Sequence, residues 1–308
     1  MSLSYLYIPL FITHKGVELP EVELSYELAG QPLGEAPVVL VCHALTGNSS
    51  VAGPRGWWAS LIGEGKAIDT TVYTILSFNI PGNCYDGRVL YDFDTFDVKD
   101  VARLFILGTK HLGITELELV IGASLGGGLA WQIGALISDQ CRYLIPIASH
   151  YRTNDWLLAQ TEVQHLLLEG SHPLEHARIH AMLCYRTPWS LDHRFGGSKL
   201  EDGTPKVIDW LHYHGRVLAE RFQLHAYRVM TYLTSTIGVA DNAEALKPLR
   251  EKVHIVSIDS DLLFPHYLGK ETAEAIGATL HTIHSEHGHD AFLMDYDQLS
   301  KIIKEIFA

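Results

Sequence analysis

Five separated runs in this chain are apolar on both faces rather than alternating: 38–42, 72–78, 117–121, 143–148 and 253–258. That constrains the fold more than any other feature. A strand with two apolar faces must be covered on both, as happens in the middle of a parallel sheet. Helical patterns lie between and after these runs, at 99–112, 125–138, 269–277 and 295–307. Strand alternating with helix predicts an α/β fold with a mostly parallel sheet. Residues 4–13 and 21–28 do alternate, around a polar turn at His14-Lys15-Gly16, and read as an antiparallel hairpin at a sheet edge.

The alternation stops at about residue 152. From there to 245 the chain carries helix-like stretches at 155–168, 174–185 and 207–233 and no convincing strand. About ninety residues of helix between two strands of one sheet predict an inserted cap. The division is then an α/β core of 1–151 and 246–308, with a helical cap of 152–245. A chain of 308 residues fits one large domain or two modest ones.

Charge narrows the partners. Lys+Arg 23 against Asp+Glu 36 leaves a net −13, with no basic run. That argues against binding to nucleic acid or an anionic membrane, although a local basic pocket can still serve a small polyanion. Cys42, Cys84, Cys141 and Cys184 are scattered, with no C-x-x-C pair, and read as reduced cytosolic thiols. The apolar start has no basic region before it and contains Pro9, so it does not read as a signal peptide. The uncharged stretch 119–137 holds five glycines and reads as a buried strand–turn–helix rather than a membrane span.

That stretch contains Gly122-Ala123-Ser124-Leu125-Gly126, a G-x-S-x-G pattern between a strand and a helix. In this context the glycines permit a sharp turn that lifts a serine hydroxyl above the strand end. The helix N-terminus behind it offers N–H groups and the positive end of a dipole to a developing oxyanion. Ser124 is therefore the candidate nucleophile. A serine needs a base, and the base an orienting acid, in the chain order Ser, Asp/Glu, His. Strand 253–258 runs into Asp259-Ser260-Asp261, and a further strand at 280–284 runs into Glu286-His287-Gly288-His289-Asp290. The residues alone leave Asp259 or Asp261 as the acid and His284, His287 or His289 as the base. The same His/Asp loop also admits a metal-site reading, but no second cluster upstream has ligand spacing. The loop after strand 38–42, His43-Ala44-Leu45-Thr46-Gly47, places the Leu45 N–H with that of Leu125 as an oxyanion hole. His43 itself reads as a structural hydrogen bonder shaping that loop.

In order along the chain, five motifs resemble the homoserine O-acetyltransferase family of α/β-hydrolase-fold acyltransferases. They are His43-Ala44-Leu45-Thr46-Gly47; Trp57-Trp58 with the segment from Ile62 to Thr70; the elbow through Gly127; Asp261-Leu262-Leu263-Phe264-Pro265; and Gly288-His289-Asp290-Ala291-Phe292-Leu293. The resemblance implies an α/β-hydrolase fold, picks Asp261 as the acid and His289 as the base, and singles out Arg178, Tyr185 and Asp290. In the family, the matching Arg and Tyr hold the substrate carboxylate side and the Asp meets its amine. A guanidinium fork suits a carboxylate. Two departures stand out: Leu125 replaces the usual Met, and the segment 79–87 is shorter than the family's glycine-rich loop and differs from it.

The function so implied is transfer of an acetyl group from acetyl-CoA to the hydroxyl of L-homoserine, with acetyl-CoA a co-substrate and no resident cofactor or metal. The expected enzyme is cytoplasmic and, by resemblance, a homodimer. Rival readings are a carboxylesterase on the same triad, a transferase using succinyl-CoA or serine, and a non-catalytic binding protein of the same fold.

Overall fold

The computed structural model describes residues 2–307. The order of elements is β1 (Ser4–Ile12), β2 (Glu18–Gly30), β3 (Val38–Cys42), β4 (Thr74–Phe78), α1 (Val98–His111), β5 (Leu117–Ala123), α2 (Leu125–Leu136), β6 (Cys141–Ile147), α3 (Asp155–Leu168), α4 (Pro173–Tyr185), α5 (Pro188–Phe195), α6 (Lys206–Arg221), α7 (Leu224–Ser235), β7 (His254–Ile258), α8 (His266–Ile276), β8 (Thr279–Ile283) and α9 (Tyr296–Phe307). All eight strands join one sheet in the order β1-β2-β4-β3-β5-β6-β7-β8. The first hairpin is antiparallel at the edge, β2 pairs antiparallel with β4, and every later pairing is parallel.

Each central strand feeds two cores. Val38, Leu40 and Cys42 of β3 pack with α1 and α2, while Val39 and Val41 point to the opposite face. Leu119 and Ile121 of β5 and Val256 and Ile258 of β7 also face that second core, which α9 covers with Leu299, Ile303 and Ile306. The irregular segment between β3 and β4 completes this cover. Its Trp58 is fully buried and donates through Nε1 to the Phe292 carbonyl behind the His289 loop (3.3 Å). β4 begins at Thr74 rather than at 72, because Val72 and Tyr73 both donate to Asp69 O in a turn.

The helices α3–α7 form an excursion between β6 and β7. The chain enters and leaves it through a neck, where Thr153 N donates to Ile237 O (2.8 Å) and Val239 N to Tyr151 O (3.0 Å). Beyond the neck, Leu246 and Leu249 return to the main core. The single helix expected over 207–233 is two. α6 ends at Arg221, Phe222 is extended, and α7 starts after Gln223. Neither Gly nor Pro marks the break. Phe222 leaves the helix to pack edge-on against Tyr227 (6.0 Å between centroids), beside Leu168, Leu174 and Leu218. α5 lies outside the helices expected from the pattern, although its ends are well signalled. Thr187 caps it through Ser190 N, Pro188 opens it, and Gly196 closes it in the left-handed region.

Candidate active site

Ser124, the candidate nucleophile, stands in the turn between β5 and α2. β5 ends directly beneath Ser124, whose backbone sits at φ 57, ψ −125. An L-residue is held there only when its surroundings over-determine it. Here the Ser124 N–H donates to Ile147 O (2.9 Å), and Gly128 N donates to Ser124 O (3.0 Å). Gly126 lets the helix approach β3 closely: a Cβ on it would lie 2.2 Å from Cys42 O. Ser124 therefore stands at the C-terminal ends of adjacent parallel strands, where an open α/β sheet opens its crevice.

The structure brings Ser124, His289 and Asp261 together. Ser124 Oγ is 2.9 Å from His289 Nε2, and His289 Nδ1 is 2.7 Å from Asp261 Oδ2. All three are buried. The other oxygen of Asp261 accepts from Leu263 N (2.8 Å) and Phe264 N (2.9 Å), which fixes the carboxylate plane. An ionised carboxylate can only accept, so the imidazole carries its proton on Nδ1 and offers the Nε2 lone pair to the serine. The ring is clamped by Phe264 stacked at 5.6 Å and Phe292 edge-on at 5.4 Å.

The neighbouring candidates go elsewhere. Asp259 accepts from exposed His284 Nδ1 (2.8 Å) and from Ser285 N (3.1 Å). His287 lies off the triad, with Nδ1 3.9 Å from Glu286 Oε1. Among the described residues, no three His, Cys, Asp or Glu side chains gather as metal ligands.

His43 is fully buried and makes the loop-shaping contacts. Its Nε2 accepts from Ile80 N (3.0 Å), which leaves Nδ1–H to donate to Ala44 O (2.9 Å). Burial pulls this histidine down to about 4, so it stays neutral. In a planar trans peptide the C=O and the next N–H point in opposite directions. Holding Ala44 O therefore aims the Leu45 N–H the other way. Among the described residues, neither the Leu45 nor the Leu125 N–H has a hydrogen-bond partner. The 79–87 loop joins this support. Asn83 Nδ2 lies 3.2 Å from His43 Nε2 and 3.0 Å from Asn79 Oδ1, and Asn79 Oδ1 also accepts from Ser49 N (2.9 Å).

The cap contributes Arg178 and Tyr185. α4 is unbroken over both, so their seven-residue spacing places them on one face, with the guanidinium 5.7 Å from the Tyr185 ring centroid. Tyr185 in turn lies 5.4 Å from the His289 ring. Burial pushes the Tyr185 phenol well above its ordinary range. Burial also raises the Asp290 carboxyl, against the opposing pull of Arg178, Arg186 and His289. Arg186, which the sequence reading passed over, sits just beyond α4 with Nε 3.3 Å from Asp290 Oδ2. Its only sequence signal is its place next to Tyr185, and helical periodicity says nothing of a residue past the helix end.

A family model described as the α/β hydrolase fold matches residues 37–169. The homoserine O-acetyltransferase of Chlorobium luteolum is 33% identical, over 98% of this chain and 92% of that protein. Among solved structures, homoserine O-acetyltransferase from Staphylococcus aureus superposes with a TM-score of 0.85 at 26% identity, over 99% of this chain and 95% of that one. Esterase E22 superposes with a TM-score of 0.87 over the whole of both chains, but at 19% identity, which speaks for the shared fold alone.

Proposed function

This chain belongs to the homoserine O-acetyltransferase family of α/β-hydrolase-fold enzymes, and from that we propose that it moves an acetyl group from acetyl-CoA to the hydroxyl of L-homoserine through an acetyl-serine intermediate. In the first half-reaction, Ser124 Oγ attacks the thioester carbonyl while His289 Nε2 takes its proton. The negative charge that develops on the carbonyl oxygen meets the N–H groups of Leu45 and Leu125. The intermediate collapses by breaking the C–S bond, and the proton on His289 leaves with the CoA sulfur. In the second half-reaction, the homoserine hydroxyl loses its proton to His289 and attacks the acetyl carbonyl. The C–O bond to Ser124 breaks, and the proton returns to Oγ. Asp261 holds the ring and stabilises its charged form throughout.

The observation that carries the acceptor is the line from Arg178 to Tyr185 to His289, with Asp290 next in the chain. A free amino acid carries a carboxylate, an ammonium and a hydroxyl arm. Arg178 and Tyr185 supply the carboxylate side and Asp290 the ammonium side, with the triad within reach of the arm. Burial raises the Asp290 carboxyl despite the nearby Arg178 and Arg186, so an incoming ammonium adds a further favourable charge partner there. The cap keeps water from Ser124, which is 7% exposed, so that transfer outruns hydrolysis.

The reading includes a cytoplasmic setting in methionine biosynthesis, a homodimer, small-molecule substrates and no resident cofactor. No helix of the described residues is long and apolar enough to cross a membrane. The test is release of free CoA thiol from acetyl-CoA with and without L-homoserine, run beside succinyl-CoA and L-serine. Homoserine-dependent release with acetyl-CoA is expected. Release indifferent to any acceptor marks an esterase, and no release marks a binding protein.

A further inference from the structure

A cavity of about 220 Å³ lies where α5 and α6 meet the loop before His289. Arg186, Arg194, His193, His287, Glu286 and Met294 are among the residues lining it, and none of Ser124, Asp261, His289, Arg178, Tyr185 or Asp290 is. Its inner wall holds a cation short of partners. Arg186 is 8% exposed. Its Nη1 faces the Met294 thioether sulfur at 2.9 Å, a weak acceptor. Its Nε is near Asp290 Oδ2, but at 3.3 Å and without hydrogen-bond geometry. A guanidinium has five donors, and beside the Asp290 ion pair the buried Nε of this one has no hydrogen-bond partner among the described residues, which is costly. His287 Nδ1 is a second buried atom with no hydrogen-bond partner among the described residues.

Charge in the cavity runs the same way. Arg194 and His193 are exposed at its mouth, and the lining carboxylate, Glu286, is already engaged by His193 Nδ1 (3.1 Å). Next to it, burial and the guanidiniums of Arg178, Arg186 and Arg194 together pull His214 down to about 4. The volume is below the ~300–1,000 Å³ of sites for drug-sized ligands, which suits a small headgroup.

We infer that this cavity binds an oxyanion, the carboxylate or phosphate group of a small ligand, with the Arg186 fork and His287 Nδ1 as inner partners and Arg194 at the mouth. The inference does not depend on the acetyl-transfer reading, although Arg186 also faces Asp290 of the proposed acceptor site. The test is titration of inorganic phosphate, and separately acetate, into the full chain labelled with ¹⁵N-histidine, at constant ionic strength. At least one of the two anions should shift the His193 and His287 ring resonances saturably. Arg194→Ala, at an exposed position, should weaken that response at least about tenfold, the loss of one charge-assisted contact. Arg186→Gln should abolish it, with circular dichroism confirming the fold. Competition by CoA but not by dephospho-CoA would identify the anion as the 3′-phosphate of the donor; competition by neither would identify a free small anion. No saturable shift with either anion up to tens of millimolar, or one that Arg194→Ala leaves unchanged, would overturn the inference.

Discussion

The Tyr185 ring on the cap lies 5.4 Å from the His289 ring on the core, while the Arg178 guanidinium rests 5.7 Å from the other partner of that pair, Tyr185. Cap and core therefore meet at His289, the proposed catalytic base. Their junction is pinned nearby by Trp156 Nε1 donating to Leu262 O (2.7 Å) and Thr187 Oγ1 donating to Glu286 O (2.6 Å). The acid loop and the histidine loop are each tied to a cap helix or to the residue that caps one.

Ser124→Ala should remove acyl-enzyme formation and keep the fold. Mass spectrometry after mixing with acetyl-CoA should show an acetyl adduct on Ser124 in the parent and none in the variant. An adduct on another residue, or turnover undiminished, would remove Ser124 as nucleophile.

Asp261→Asn should lower turnover by roughly the 10⁴-fold seen when the Asp of a Ser-His-Asp triad is replaced. Asp259→Asn should cost far less, because Asp259 serves exposed His284 rather than His289. Steady-state kcat for the two variants decides the matter, and the reverse ranking would reassign the acid.

Arg178→Ala should reduce kcat/KM for homoserine by about 30-fold or more, corresponding to about 2 kcal/mol or above for a truncated ion pair. The acylation burst with acetyl-CoA alone should survive. A lost burst with an unchanged homoserine KM would move Arg178 to the donor side.

Gly126→Ala should prevent the elbow from closing, since its Cβ would lie 2.2 Å from Cys42 O and the obstacle is backbone. Overpacking of this kind costs about 1–3 kcal/mol or more. Urea unfolding should show a lower midpoint together with lost activity. Retention of both would mean that α2 can shift away from β3.

Acid should destabilise the protein through two buried histidines. Burial lowers His43 and His150 each to about 4, from an ordinary value near 6.5. Between those values the unfolded chain binds protons that the folded one refuses, so stability rises with pH across the window and is lost as pH falls from about 6.5 towards 4. His150 Nδ1 bonds to Arg152 O (2.8 Å) and Nε2 to Thr272 Oγ1 (3.0 Å), linking the cap's neck to α8. His150→Gln should unfold with one proton less taken up in this window, read from urea midpoints at pH 6.5 and 5. An unchanged slope would show that His150 does not stay neutral when folded.

The central sheet, the elbow and the helical interruption are all legible in the amino-acid pattern. Unbroken apolar runs such as 38–42 have no stable place except between two covered faces, and a Gly-flanked serine between strand and helix has one geometry open to it. Local chemistry also marked both ends of α5, in Thr187-Pro188 and Gly196, where the reading missed them. The residue pattern left two aspartates two residues apart open, the family resemblance picked Asp261, and the folded chain brings that one to His289. Asp259 and Asp261 leave the same strand end, and the peptide N–H groups of Leu263 and Phe264 turn the second one inward. Tertiary structure alone decided the break at Phe222, which no local signal announces because aromatic packing against Tyr227 drives it, and the approach of Arg186 to Asp290 across 104 residues of chain. Pattern reports what one segment prefers. Contacts between distant segments depend on how closed loops and packed side chains share space, and that is settled only when the whole chain is folded.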